Sequence, residues 1–126
     1  MFENNLYTIT ELSKNESQIN SIIRLNPEHD IFKGHFPEMP ILPGVCTMQI
    51  IKEICSKTLN QTLSLVNGDN IKFTAIVSPD AQKNININIT IISLTIDQLT
   101  ISCQVSCENI ISFKMKASYS CKPNQK

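Results

Sequence analysis

The sequence predicts an α+β fold in which a curved antiparallel sheet of about six strands wraps one long central helix. Three observations point there: a single apolar segment of helix length from about Pro43 to Leu59, several segments in which apolar and polar residues alternate, and short connections between them. At 126 residues the chain holds one core and is too short for two, so residues 1–126 are read as a single domain.

Leu6 to Leu12 and Gln18 to Leu25 read as the first two strands, because apolar residues recur at period-two spacing and the polar stretch Ser13 to Ser17 separates them. Asn26-Pro27 ends the second, and a loop follows that holds Pro37, Pro40 and Pro43. The helix then carries Val45, Cys46, Met48, Ile50, Ile51, Ile54, Cys55 and Leu59 around most of its circumference, so other elements must enclose it. Gln49, Lys52, Glu53 and Ser56 share one narrow arc, which meets either solvent or a partner subunit. Beyond the helix, Leu63 to Val66 and Ile71 to Val77 are expected strands on either side of Asn67-Gly68-Asp69, where Gly68 allows a bulge or turn. Pro79-Asp80 makes the next turn. Asn84 to Ile91 alternates strictly, and the slip at Ile91-Ile92 indicates a bulge. Leu99 to Val105 and Ile111 to Tyr119 alternate again, and the polar tail Cys121 to Lys126 is expected to fray. The open edges of such a sheet make pairing with a second copy natural.

Composition excludes several function classes. Basic and acidic residues number 11 each, so there is no basic surplus to draw nucleic acid or an anionic membrane. The five cysteines include no Cys-x-x-Cys pair and give no metal or disulfide framework; Cys103 and Cys107, in an alternating segment, read as small apolar residues. Met1 to Asn5 has neither a basic nor an apolar signal region, and no apolar run reaches membrane-spanning length, so a cytoplasmic protein is expected.

The chemistry gathers between His29 and Val45. The prolines hold His35 beside a helix start, where a neutral imidazole can take a proton and helix-terminal N–H groups can stabilise a developing negative charge. His29 reads as an ordinary strand-end residue. The run Gly34-His35-Phe36-Pro37, Pro40, Pro43-Gly44-Val45, preceded by Phe32 and followed by the apolar helix, resembles the active-site segment of the β-hydroxyacyl-acyl carrier protein dehydratases, the FabZ and FabA family. The motif covers about residues 30 to 50, while the order of strands and helix fits that family's hot-dog fold across nearly the whole chain.

The resemblance implies roles. His35 matches the catalytic histidine that removes a proton from the carbon beside the thioester carbonyl, and Gly44 matches the glycine whose backbone N–H holds the thioester oxygen. Phe32, Phe36, Pro43 and Val45 fall on the substrate side, the two phenylalanines as core or tunnel-wall packing. The implied substrate is a 3-hydroxyacyl thioester on the phosphopantetheine of acyl carrier protein or on coenzyme A, used in fatty acid or polyketide/polyene-type biosynthesis with no metal or redox cofactor. The implied assembly is a homodimer, a larger set of dimers, or a heterodimer with a homologue. Lys33, Lys52, Lys57, Lys114 and Lys116 offer charge to an acidic carrier without forming a concentrated patch.

One position departs from the family. Fourteen residues after its histidine the family carries a glutamate or aspartate, supplied by the other subunit's helix to help the hydroxyl leave; here that residue is Gln49. An amide cannot ionise and can only hydrogen-bond. Three readings follow. Gln49 positions a water or the substrate hydroxyl while His35 passes its acquired proton to the leaving group. Alternatively, Glu53 or Glu38 serves as the acid. The third is loss of dehydration, leaving a thioesterase or a thioester-binding subunit that partners an active homologue.

Overall fold

The computed structural model describes residues 1–34 and 40–124. Its elements run β1 (Tyr7–Lys14), β2 (Gln18–Leu25), α1 (Ile31–Gly34), α2 (Gly44–Leu59), β3 (Gln61–Phe73), β4 (Ile85–Leu94), β5 (Gln98–Cys107) and β6 (Ile110–Pro123). All strand pairs are antiparallel, in one sheet of order β1-β2-β4-β5-β6-β3 whose edges are β1 and β3. This is the hot-dog arrangement of six strands and a long helix.

The period-two pattern decides which face meets the helix. Ile19 and Ile23 of β2, Ile85, Ile87 and Ile89 of β4, Leu99 to Val105 at alternate positions of β5, and Phe113 to Tyr119 likewise on β6 are buried. With Cys46, Ile50, Ile51, Ile54 and Cys55 of α2 they make one core, and Asn88, Thr90, Ser102, Lys114 and Lys116 face outward. The slip in β4 is a register shift between Ile91 and Ser93. β5 turns into β6 through Glu108 and Asn109, both at positive φ (52° and 66°), the backbone of a tight two-residue hairpin.

Four expectations change. The two strands expected around Gly68 are a single 13-residue strand, β3, with register shifts between Leu65 and Asn67 and between Asp69 and Lys72. Gly68 stays inside the ladder opposite Ala117, and Asn70 takes the left-handed conformation (φ 51°) that absorbs the irregularity. The tail does not fray at Cys121: β6 continues to Pro123, because β3 begins directly after the helix and its first residues, Gln61 to Leu63, pair with Cys121 to Pro123. Cys121 is buried, and the Asn124 N–H donates to the Asn60 carbonyl. Ahead of the prolines, one helical turn, α1, forms where only loop was expected, and Phe32 of that turn is buried in the core. Finally, α2 is not enclosed all round; Val45 is 75% exposed, and Met48, Gln49 and Lys52 beside it are partly exposed. The sheet covers one side of the helix and leaves this face open.

Among the described residues no helix is long and apolar enough to cross a membrane. Removing residues 121–126 strips the pairing of Cys121 to Pro123 and the buried thiol. It is expected to cost roughly 2 kcal/mol and to lower Tm by about 5–10 °C in thermal denaturation; an unchanged Tm would mean that these residues are not held.

Candidate active site

The start of α2 is shaped by Pro43 and Gly44. Pro43 is the N-cap, extended at φ −63° and ψ 145°, and its carbonyl accepts from the N–H groups of Cys46 (3.0 Å) and Thr47 (3.2 Å). The first helical N–H groups, those of Gly44 and Val45, find no acceptor among the described residues and carry the positive end of the helix dipole. The cap is pinned from the side by Leu42, whose N–H donates to the Val77 carbonyl at 2.8 Å. A cavity of about 260 Å³ opens here, walled by Leu42, Pro43, Gly44, Phe73, Val77 and Phe113. A Cβ at Gly44 would collide with the Phe73 ring, so the glycine lets an aromatic wall close on the helix start. Phe73 is 60% exposed and packs against Phe113 at 5.0 Å between ring centroids.

About two and a half turns along the helix lies a second polar centre. Glu53 is 3% exposed, and its carboxylate gathers donors from the N-terminal segment. Oε1 accepts from the N–H groups of Phe2 (3.0 Å) and Glu3 (2.9 Å) and from the Tyr7 hydroxyl (3.0 Å); Oε2 accepts from the Phe2 N–H (2.9 Å) and from Gln49 Nε2 (2.9 Å). Burial alone would push this carboxyl up, but the bonds from Gln49, Phe2, Tyr7 and Glu3 outweigh it and hold the group below its ordinary range. Burial and the neighbouring Glu53 charge push the Tyr7 phenol up, so it stays protonated and donates. The polar arc of α2 is thus divided. Glu53 is covered by its own chain's N-terminus, while Gln49 and Lys52 stay at the open face with Val45 and Met48. Beside that face a depression of about 210 Å³ reaches Leu65 of β3 and Tyr119.

The structure therefore places Gly44, Pro43, Val45 and Gln49 along the first two turns of one helix, and Phe32 in the core behind them. His35, Phe36 and Glu38 lie outside the described residues. Glu53 sits one turn beyond Gln49 with its oxygens already bonded, an arrangement of an anchored anion. Phe2, Glu3 and Tyr7, and Phe73 over Gly44, are not among the residues that the sequence singles out. The first three left no signal in the helix, where Glu53 shares a polar arc with Gln49, Lys52 and Ser56, and the N-terminal donors come from some fifty residues away in the chain. The signal for Phe73 was absent, since it depends on how β3 returns past the helix start. Cys55 and Cys103 are buried, and burial pushes both thiols up to about 12, so neither is a nucleophile at neutral pH.

Comparison with known proteins bears on the family and the fold. A family model described as ApeI-like, ApeI dehydratase, matches residues 11–121. The 3-hydroxyacyl-[acyl-carrier-protein] dehydratase FabZ of Oceanobacillus iheyensis is 24% identical, over 86% of this chain and 84% of that protein. Among solved structures, the dehydratase heterocomplex ApeI:P from Xenorhabdus doucetiae superposes with a TM-score of 0.76 at 18% identity, covering 90% of this chain and 96% of that one. A hypothetical thioesterase with coenzyme A from Streptococcus pneumoniae superposes at 0.67 with 7% identity, covering 95% and 88%. At these identities the structural matches establish the shared fold.

The Glu53 anchor has a pH signature. Its folded carboxyl titrates below the ordinary 4.5, so the stabilisation is present above that value and is lost as the pH falls through the folded value. Glu53→Gln should lower the unfolding free energy at pH 7 by roughly 2–4 kcal/mol and flatten the acid limb of the stability curve. Denaturant titrations from pH 7 to pH 3 measure both; a parallel acid limb in the variant would remove Glu53 from this role.

Proposed function

As the chain belongs to the ApeI-like dehydratase family, matched over residues 11–121, we propose that it is a hydro-lyase. It converts a 3-hydroxyacyl thioester, presented by acyl carrier protein or coenzyme A, into the 2-enoyl thioester and water, in the cytoplasm and within fatty acid or polyketide/polyene-type chain building. The observation that carries this reading is the start of α2, where the Gly44 N–H stands without an acceptor among the described residues beside an apolar cavity. A thioester carbonyl placed there gains a hydrogen bond that strengthens as negative charge develops on its oxygen.

The steps balance with one titrating side chain. His35 takes the proton from C2 and becomes imidazolium; the C2–H electron pair forms the C2=C3 bond as the C3–O bond breaks; the imidazolium returns its proton to the departing hydroxyl, which leaves as water. Gln49 holds the hydroxyl by hydrogen bonding and exchanges no proton. Glu53 is not needed as an acid, since its bonds favour the anion. Metal and redox cofactors have no part in this sequence of steps.

The site is completed by a second subunit. Val45, Met48, Gln49 and Lys52 are left open by this chain's sheet, and edge strand β3 beside them exposes Leu65, Val66, Ile71 and Phe73. An apolar edge of this length is covered by pairing with another strand. The second subunit is another copy of this chain or a homologous dehydratase subunit, and the ApeI:P heterocomplex supports the latter arrangement.

The protein should interconvert 3-hydroxybutyryl and crotonyl thioesters, and His35→Ala should lower turnover by about 10² to 10⁴. Turnover unchanged in that variant contradicts the mechanism, and release of free thiol in place of crotonyl product identifies a thioesterase. Val66→Lys on the exposed edge should shift the particle toward monomer in sedimentation and reduce turnover with it; a dimer that survives places the interface elsewhere.

A further inference from the structure

We infer that Glu53 is a positioning residue that fixes the polarity of the Gln49 amide, so that the amide oxygen Oε1 faces the 3-hydroxyl of the substrate as an acceptor. This rests on the dehydratase reading above. A glutamine side chain can present either its oxygen or its nitrogen to a neighbour, and the two have opposite hydrogen-bonding character. At position 49 the choice is made by chemistry. Glu53, four residues on and one helical turn away, is an ionised carboxylate and can only accept. The group 2.9 Å from its Oε2 must therefore be the Gln49 NH2. The amide oxygen is turned away from Glu53, and among the described residues it meets no donor.

The anchor is itself fixed. Four further hydrogen bonds, from the Phe2 and Glu3 N–H groups and the Tyr7 hydroxyl, hold the carboxylate against α2. Gln49 thus inherits its orientation from a buried carboxylate seated on the N-terminal segment. The consequence for the reaction is specific. The substrate hydroxyl must receive a proton on its oxygen as it leaves, so a partner that accepts from its O–H and leaves its lone pairs toward the imidazolium is the productive one. An inverted amide, offering N–H to the same oxygen, would compete for those lone pairs. The Gln49–Glu53 pair selects the first arrangement without supplying a proton.

The test compares the native assembly with three variants for binding of 3-hydroxybutyryl-CoA and butyryl-CoA, together with kcat and KM. The native protein should prefer the hydroxylated thioester by about tenfold, the worth of one hydrogen bond. Glu53→Gln, which frees the amide at 49 to invert, should reduce that preference below about twofold, with KM for the hydroxyacyl thioester rising in step, and lower kcat about tenfold. Exchanging the two residues, Gln49→Glu with Glu53→Gln, reverses the bond between them but leaves only acceptor oxygens at 49 to meet the hydroxyl, and should recover the preference. Gln49→Met leaves the other four bonds of Glu53 intact and should lose the preference in a folded protein, which covers the case in which Glu53→Gln alone does not fold. A native protein that binds both thioesters equally, a Gln49→Met variant that still prefers the hydroxylated one, or an exchanged pair that fails to recover it overturns the inference. A native protein that shows the preference but forms no crotonyl product overturns the dehydratase reading and leaves the positioning role standing.

Discussion

A single buried carboxylate ties the N-terminal segment, β1 and α2 together. Taking an ionised glutamate out of water costs several kcal/mol, and the cost is offset only where donors converge on it. Glu53 meets that condition with main-chain N–H groups of Phe2 and Glu3, the Tyr7 hydroxyl and the Gln49 amide. Charge-assisted bonds of this kind are worth about 1.5–3 kcal/mol each. The same group therefore does three things: it fastens the N-terminal segment across α2, it seats the first residue of β1, and it sets the orientation of the side chain at the open face of the helix.

The remaining architecture follows from how the helix is enclosed. Isoleucine-rich alternation on β2 and β4, continued on β5 and β6, covers the face of α2 defined by Cys46, Ile50 and Ile54. Val45, Met48 and Gln49 keep exposed surface beside β3, the edge strand, which ends at Phe73 over Gly44. The open helix face and the exposed apolar edge are thus neighbours. A second subunit placed there would cover both with one interface.

Much of this was legible in the sequence. Period-two spacing located β2 from Gln18 to Leu25, the slip at Ile91-Ile92 marked the bulge of β4, and the proline-glycine pair put the helix start at Pro43-Gly44. These signals are local, set by side-chain alternation and backbone restriction. What was missed was non-local. The continuation of β6 to Pro123 depends on the need of Gln61 to Leu63 for a partner across the sheet, and the integrity of β3 depends on Asn70 taking a left-handed backbone in place of a turn at Gly68. At the site, the resemblance identified position 49 as decisive, and the arc containing Glu53 was expected to meet solvent or a partner subunit. The donors that bury Glu53 lie some fifty residues away in the chain, and nothing in the helix's own pattern points to them.

In the proposed mechanism the amide oxygen of Gln49 and the imidazole of His35, contributed by two subunits, bracket the bond that breaks. A crystal structure of the assembled protein with a bound 3-hydroxyacyl thioester analogue tests this most directly. It should place Gln49 of one subunit about 2.6–3.2 Å from the 3-oxygen, its amide nitrogen still on Glu53, with His35 of the partner subunit within reach of C2. A carboxylate in contact with the 3-oxygen, or a Gln49 side chain turned away from the ligand, would contradict it.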